Sequence, residues 1–220
     1  MTFDPNGGRL SEYRREKKVY PGETYGELPT PYYDGYILTG WFTEPIGGEE
    51  ITPNTPFTAN ADQTLYAQWE YSPYDYWLFV LENTTQKIFT CQETFIYIEL
   101  EADGVTMAHC SLIDMTGSQN VAQNREKPHV DDDWVREKNP GVILKITDNM
   151  GSAEAVQTAV ENRFPGKRVL VFPTAAVDGS DAEKLYYALM LAQILYPEYY
   201  YEISMDTVGA ELGVQGSVHK

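Results

Sequence analysis

Hydrophobic and polar residues alternate in the first third of the chain and give way to longer apolar blocks afterwards. Thr64-Leu65-Tyr66-Ala67-Gln68-Trp69 has the two-residue period of a half-buried strand, and Tyr36–Phe42 predicts another. Turn signals punctuate these runs at Asp4-Pro5-Asn6-Gly7-Gly8, Tyr20-Pro21-Gly22-Glu23, Asp34-Gly35 and Gly47-Gly48. The pattern predicts a small β-rich unit with Trp41 and Trp69 as core anchors, packed with Phe3, Tyr36 and Leu65. Glu70-Tyr71-Ser72-Pro73-Tyr74 reads as a linker because Pro73 interrupts a ladder. Two domains follow, 1–70 and 71–220.

In the second part, Tyr76–Leu81 and Lys87–Cys91 predict strands, and Asp103-Gly104 between Phe95–Leu100 and Val105–Leu112 predicts a hairpin. From residue 141 the period changes. Gly141–Thr147 is a buried strand, and Ala153, Val156, Ala159, Val160 and Phe164 mark one face of a helix stopped by Pro165-Gly166. Arg168–Phe172 is the next strand. Ser180-Asp181-Ala182-Glu183 is a capping box opening a mostly apolar helix that ends before Pro197. Tyr199–Met205 reads as a third strand, and the glycine-containing tail from Gly209 reads as frayed. The order β-α-β-α-β predicts a parallel sheet.

The first segment carries a resemblance. Thr2-Phe3-Asp4-Pro5-Asn6-Gly7-Gly8, Tyr25-Gly26-Glu27-Leu28-Pro29-Thr30-Pro31, Gly35-Tyr36, Gly40-Trp41-Phe42-Thr43, Gly47-Gly48, Ile51-Thr52 and Leu65-Tyr66-Ala67-Gln68-Trp69 are similar, in order and spacing, to the Listeria–Bacteroides repeat, also called the internalin B-type repeat. Two departures are Tyr32-Tyr33-Asp34, where the family often has a basic residue before the glycine, and the charged run Arg14-Arg15-Glu16-Lys17-Lys18. The resemblance implies a small β-grasp-like module, extracellular or on the bacterial cell surface or a virion, with no catalytic residue to carry over. The expected fold class is therefore α+β: a β-grasp-like repeat, then an α/β domain with an antiparallel hairpin region. Residues 71–220 resemble no named family.

Composition narrows the function classes. The 220 residues carry 16 Lys+Arg against 33 Asp+Glu, a net charge of −17. Phosphate neutralisation needs clustered cations, so direct nucleic-acid binding is not expected, and the same sign argues against anionic membranes. No run approaches the length of an apolar membrane span. Met1-Thr2-Phe3-Asp4 does not read as a signal peptide. Two cysteines are too few for a disulfide scaffold.

Each candidate chemistry has a plainer competitor. His109 and Cys110 are neighbours, and on a strand they point to opposite faces, which forbids a nucleophilic dyad. The hairpin register pairs Cys110 with Tyr97 and His109 with Ile98. His129-Val130-Asp131-Asp132-Asp133 offers hard ligands but lacks the glycine and glutamate of a calcium loop, so a solvated loop is expected. Asp148, Asp178 and Asp206 follow the three expected strand ends. They are metal candidates if they converge in one crevice, and caps or turn residues if they do not. No cofactor motif is present. Among 17 tyrosines, Tyr71, Tyr74, Tyr76, Tyr32 and Tyr33 are candidates for an interface.

The resulting expectation is a non-enzymatic interaction or structural module of a bacterial or bacteriophage surface assembly, with no cofactor and with a protein or surface-glycan partner. The alternatives are a hydrolase using the acidic crevice and an acidic inhibitor mimicking nucleic acid.

Overall fold

The computed structural model describes residues 1–85, 94–101, 104–107, 111–121 and 129–216. It is mixed helix and strand, as expected, and divides into two compact units, Met1–Phe79 and Val80–Lys220.

The first unit is built on a four-stranded sheet of β1 (Thr2–Asp4), β2 (Tyr36–Phe42), β3 (Glu50–Ile51) and β4 (Thr64–Tyr71), in the order β1-β4-β2-β3. β1 runs parallel to β4, with Phe3 opposite Leu65, and β2 runs antiparallel, with Trp41 opposite Ala67. The alternation along β4 buries Leu65 and Ala67, which join Phe3, Tyr25, Trp41, Ile51 and Phe57 in the core. Trp41 is 2% exposed. Its indole N–H donates to the Pro29 carbonyl at 2.8 Å, and its ring meets Phe3 edge-on at 4.9 Å. Trp69 is half-buried at the rim, where its indole N–H reaches the Pro5 carbonyl at 3.0 Å. Tyr36 is exposed and pairs with Tyr71 at the far end of the ladder from Trp41, so it lies outside the expected core. The Asp-Pro-Asn-Gly-Gly turn is explained by contact: a Cβ on Gly8 would lie 2.5 Å from the Trp69 ring.

Helix α1 (Pro73–Thr85) replaces the strand expected over Tyr76–Leu81. The apolar run mimics a strand, but Pro73 opens a helix and the Ser72 hydroxyl accepts the Asp75 N–H at 3.2 Å. The fully sequestered positions Trp77 and Leu81 stand four apart, the spacing of one helix face.

The second unit holds a sheet of β5 (Thr94–Glu101), β6 (Gly104–Met107), β7 (Gln119–Asn120), β8 (His129–Val130), β9 (Val142–Thr147) and β10 (Arg168–Pro173). The order is β10-β9-β5-β6-β8, with β7 beside β5. β5, β9 and β10 are mutually parallel where they pair, while β6 and β8 are antiparallel additions. Its helices are α2 (Ser111–Met115), α3 (Asp132–Lys138), α4 (Ala153–Arg163), α5 (Ala175–Asp178), α6 (Asp181–Leu195), α7 (Pro197–Tyr200) and α8 (Met205–Leu212). Ala153, Val160 and Phe164 of the α4 segment pack with Ile143, Val169 and Val171 of the strands, as the helical period predicts. α6 is buried on most sides and opens with the expected capping box at Ser180 and Glu183.

Several expectations change. The hairpin forms, but Ile98 pairs with Met107, the strand stops there, and Leu112 is buried in α2. Lys87–Cys91, Cys110, His109 and Asp103 lie outside the described residues. The expected third strand Tyr199–Met205 is α7, a turn and the start of α8. Pro197 restarts the helix, and the Gln193 amide caps the exit by donating to the Tyr200 and Ile203 carbonyls at 3.1 and 2.8 Å. The parallel sheet therefore gains its third member from β5. Residues 209–216 are not frayed: α8 runs to Leu212, Gly213 turns the chain at φ 69°, and Val208 and Val214 are buried.

Candidate functional site

The three candidate carboxylates are placed separately. Asp148 is exposed just past β9, where the loop is organised by its neighbour: the Asn149 side chain accepts the Gly151 N–H at 3.0 Å, and Thr147 Oγ1 accepts the Asn149 N–H at 3.2 Å. Asp178 is the exposed last residue of α5. Asp206 is not at a strand end; it sits in the first turn of α8, behind the Ser204 cap. Among the described residues, no group of three His, Cys, Asp or Glu side chains is placed to hold a metal ion.

The acidic run after His129 is structural. Asp131 caps α3 by accepting the Trp134 N–H at 2.8 Å. Asp132 takes the Arg163 guanidinium at 2.8 Å, and Asp133 takes Arg136 at 2.9 Å. The solvated loop expected here is a capped helix with Val135 in the core.

Of the five candidate interface tyrosines, Tyr33, Tyr71 and Tyr76 belong to a row of rings in the first unit. Tyr33 stacks on Tyr36 at 4.4 Å and meets Trp69 at 5.5 Å, Tyr36 meets Tyr71 at 5.6 Å, and Tyr71 meets Tyr76 at 6.1 Å. Tyr32, Tyr71 and Tyr76 keep 55, 44 and 37% of their surface exposed, while Tyr33 and Tyr74 are half-buried.

A cavity of about 540 Å³ in the second unit supplies the site that sequence reasoning missed. It lies where α6, α8 and the segment after Gly213 meet, and Tyr186, Met205, Asp206, Gly209, Ala210 and Gln215 line it. Two glycines shape it. A Cβ on Gly209 would lie 2.6 Å from the Val214 carbonyl oxygen, so glycine is needed for the chain to fold back on α8. A Cβ on Gly216 would lie 2.5 Å from the Tyr187 hydroxyl. Tyr186 and Tyr187 cross edge-to-face at 5.2 Å, and Tyr187 leans on Phe172 at 6.0 Å, near the carboxyl end of β10. Burial raises the Tyr186 phenol above its ordinary pKa of 10.0, and the Asp206 carboxylate adds to the shift. The only sequence signal for this site was Asp206, and it had been placed at a strand end.

Four buried hydroxyls, of Thr116, Ser118, Tyr196 and Tyr200, and the half-buried Thr85 hydroxyl are tied to one another in the second unit. The Ser118 and Tyr196 hydroxyls are 3.0 Å apart, Thr116 donates to Ser118 at 3.0 Å, and the Tyr200 and Thr85 hydroxyls are 3.4 Å apart. Here tyrosines serve as buried polar ties.

Residues 1–68 match the Listeria-Bacteroides repeat domain. No curated protein sequence matches the chain. Among solved structures, the chain is similar to the TroA-like periplasmic binding protein FepB from Veillonella parvula, at 16% identity and a TM-score of 0.51, covering 64% of this chain and 49% of that one. CeuE of Helicobacter pylori with Ni(II) bound gives 14% identity and 0.49, covering 64 and 50%. A second Veillonella parvula periplasmic binding protein gives 19% and 0.45, covering 57 and 44%. The chain thus spans about half the length of these structures.

The likeness to the TroA-like protein is one of fold, and a periplasmic binding-protein fold is the finding that stands against the expected non-enzymatic module of a surface assembly.

Proposed function

We propose that the unit Val80–Lys220 is a ligand-binding unit of the periplasmic binding-protein type, taking a small molecule or a metal complex in place of the expected protein or surface-glycan partner. The observation that carries this reading is the fold likeness to the TroA-like protein. Its physical support is a core of parallel strands β5, β9 and β10, of which β9 and β10 lead through short loops into helices, an arrangement that favours ligands beyond the strand carboxyl ends. The concave site of α6 and α8 has the volume of a small-molecule pocket.

The rest of the reading follows from the repeat. Its parallel β1–β4 pairing supports a β-grasp-like module over residues 1–70, with the α/β domain following from 71, and we place the chain outside the cytoplasm, in an extracellular or periplasmic setting. We assign Tyr32, Tyr33, Tyr71, Tyr74 and Tyr76 to the contact surface of that repeat. Among the described residues, no helix is long and apolar enough to cross a membrane.

Equilibrium dialysis of the full chain against Ni(II), ferric iron and ferric siderophore complexes, alongside a library of small organic solutes, tests the reading. Saturable binding of one ligand class at one site per chain is the expected result. Failure of every class to bind above a nonspecific background would remove the ligand-binding assignment.

A further inference from the structure

We infer that the cavity between α6 and α8 selects small organic cations, an alkylammonium or guanidinium group on an apolar body. The inference rests on the ligand-binding reading of the second unit and adds the chemical class.

The lining decides the class. Asp206 is the one charged side chain among the described residues that line the cavity, and no Lys or Arg joins it. Among the described lining residues no cation competes for its carboxylate, so a ligand bearing positive charge gains a charge-assisted hydrogen bond there. An anionic ligand would meet the same carboxylate with repulsion and find no Lys or Arg among the described lining residues to offset it. Tyr186 is 5% exposed and contributes a neutral phenol. It therefore adds a neutral, polarizable wall and no second negative charge. Met205, Ala210 and Val214 supply apolar surface beside the carboxylate, which suits an ammonium on a hydrocarbon body better than a hydrated inorganic ion. The metal alternative is disfavoured by the ligand count: one carboxylate is far from the six to eight oxygens that a hard cation collects, and no group of three ligating side chains occurs among the described residues.

The volume agrees. At about 540 Å³ the cavity has room for a ring-sized body and its ammonium with water to spare. The close approach of the chain to Gly209 and Gly216 means that even a methyl at either position would collide with a wall, so the shape is held by packing.

The test uses the full chain and three probes of matched size: phenylethylammonium, phenylpropionate and phenylpropanol. Calorimetric titration at low ionic strength is expected to show saturable binding of the ammonium, weaker binding of the alcohol and none of the carboxylate. Asp206→Asn, an exposed first-turn change that leaves the helix cap at Ser204 in place, should weaken the ammonium about five- to tenfold and leave the alcohol unchanged. Gly209→Ala, which pushes the Val214 segment off α8 and so displaces one wall of the cavity, should weaken the ammonium and the alcohol together. Equal binding of ammonium and carboxylate, or an ammonium affinity indifferent to Asp206→Asn, overturns the inference. If the three probes fail while a metal complex or another solute binds, the cation inference falls and the ligand-binding function stands. If nothing binds, both fall.

Discussion

Trp41 joins three separated pieces of the repeat: its ring meets Phe3 of β1, its indole N–H holds the Pro29 carbonyl, and its backbone pairs with Ala67 and Ile51. Truncating a buried ring costs about 3–5 kcal/mol, close to the whole stability of a unit this small. Trp41→Ala should therefore unfold Met1–Phe79 while the amide dispersion of residues 129–216 stays native in a two-dimensional NMR spectrum. Collapse of both sets of signals would mean that the two units do not fold separately. Tyr200 gives a pH-dependent case. Burial holds its phenol above the ordinary 10.0, with the Thr85 hydroxyl opposing. A raised folded pKa gives stability that is fully present below the unfolded value and lost as pH rises through the folded one. Stability should thus fall above about pH 10, and Tyr200→Phe should flatten that alkaline limb in urea melts at stepped pH.

At the scale of elements, α6 and α8 show what caps and closures contribute. Ser180 Oγ accepts the Glu183 N–H, and the Glu183 carboxylate accepts the Ser180 N–H at 2.7 Å, which holds the Glu183 carboxyl below its ordinary value. Ser180→Ala should cost about 1 kcal/mol, visible as a lower urea midpoint at unchanged slope. Gly209→Ala should strip hydrogen-exchange protection from Val214, whose N–H donates to the Gly209 carbonyl at 2.8 Å, before protection in β9 changes. The elements that were legible in the sequence are those with two agreeing signals: β9 and β10 by buried runs, α4 by its period and the Pro165-Gly166 stop, α6 by its box. The ones that misled had one signal or two in conflict. Tyr76–Leu81 has strand-like residues, yet Ser72 and Pro73 start a helix. Tyr199-Tyr200-Tyr201 has strand propensity, yet Pro197 and the Gln193 amide wind it into α7. The cavity was illegible for a different reason: α8 had been read as part strand and part frayed tail, so Asp206 and Gly209 had no common element to share.

For the whole molecule, a repeat recognisable from its turns and tryptophans stands in one chain with an α/β unit for which the sequence shows no named family. The repeat motifs survive in sequence because each is a contact: Gly8 lies under Trp69, and Asn6 bridges the Pro45 and Ala67 carbonyls at 2.9 Å each. The α/β unit is specified by burial pattern, which many sequences satisfy. The separation of Asp148, Asp178 and Asp206 also has a whole-molecule consequence: millimolar magnesium or calcium, at matched ionic strength, should leave the melting temperature unchanged.

Differential scanning calorimetry of the full chain with a saturating ligand from the dialysis panel tests the central claim most directly. The Trp41→Ala variant identifies which transition belongs to the repeat. Ligand at about a hundred times its dissociation constant should stabilise the unit that binds it by about 2.7 kcal/mol. The predicted result is an upward shift confined to the transition of Val80–Lys220, with the repeat's transition unmoved. A shift confined to the repeat, or none under conditions where ligand is bound, would contradict the assignment of binding to the α/β unit.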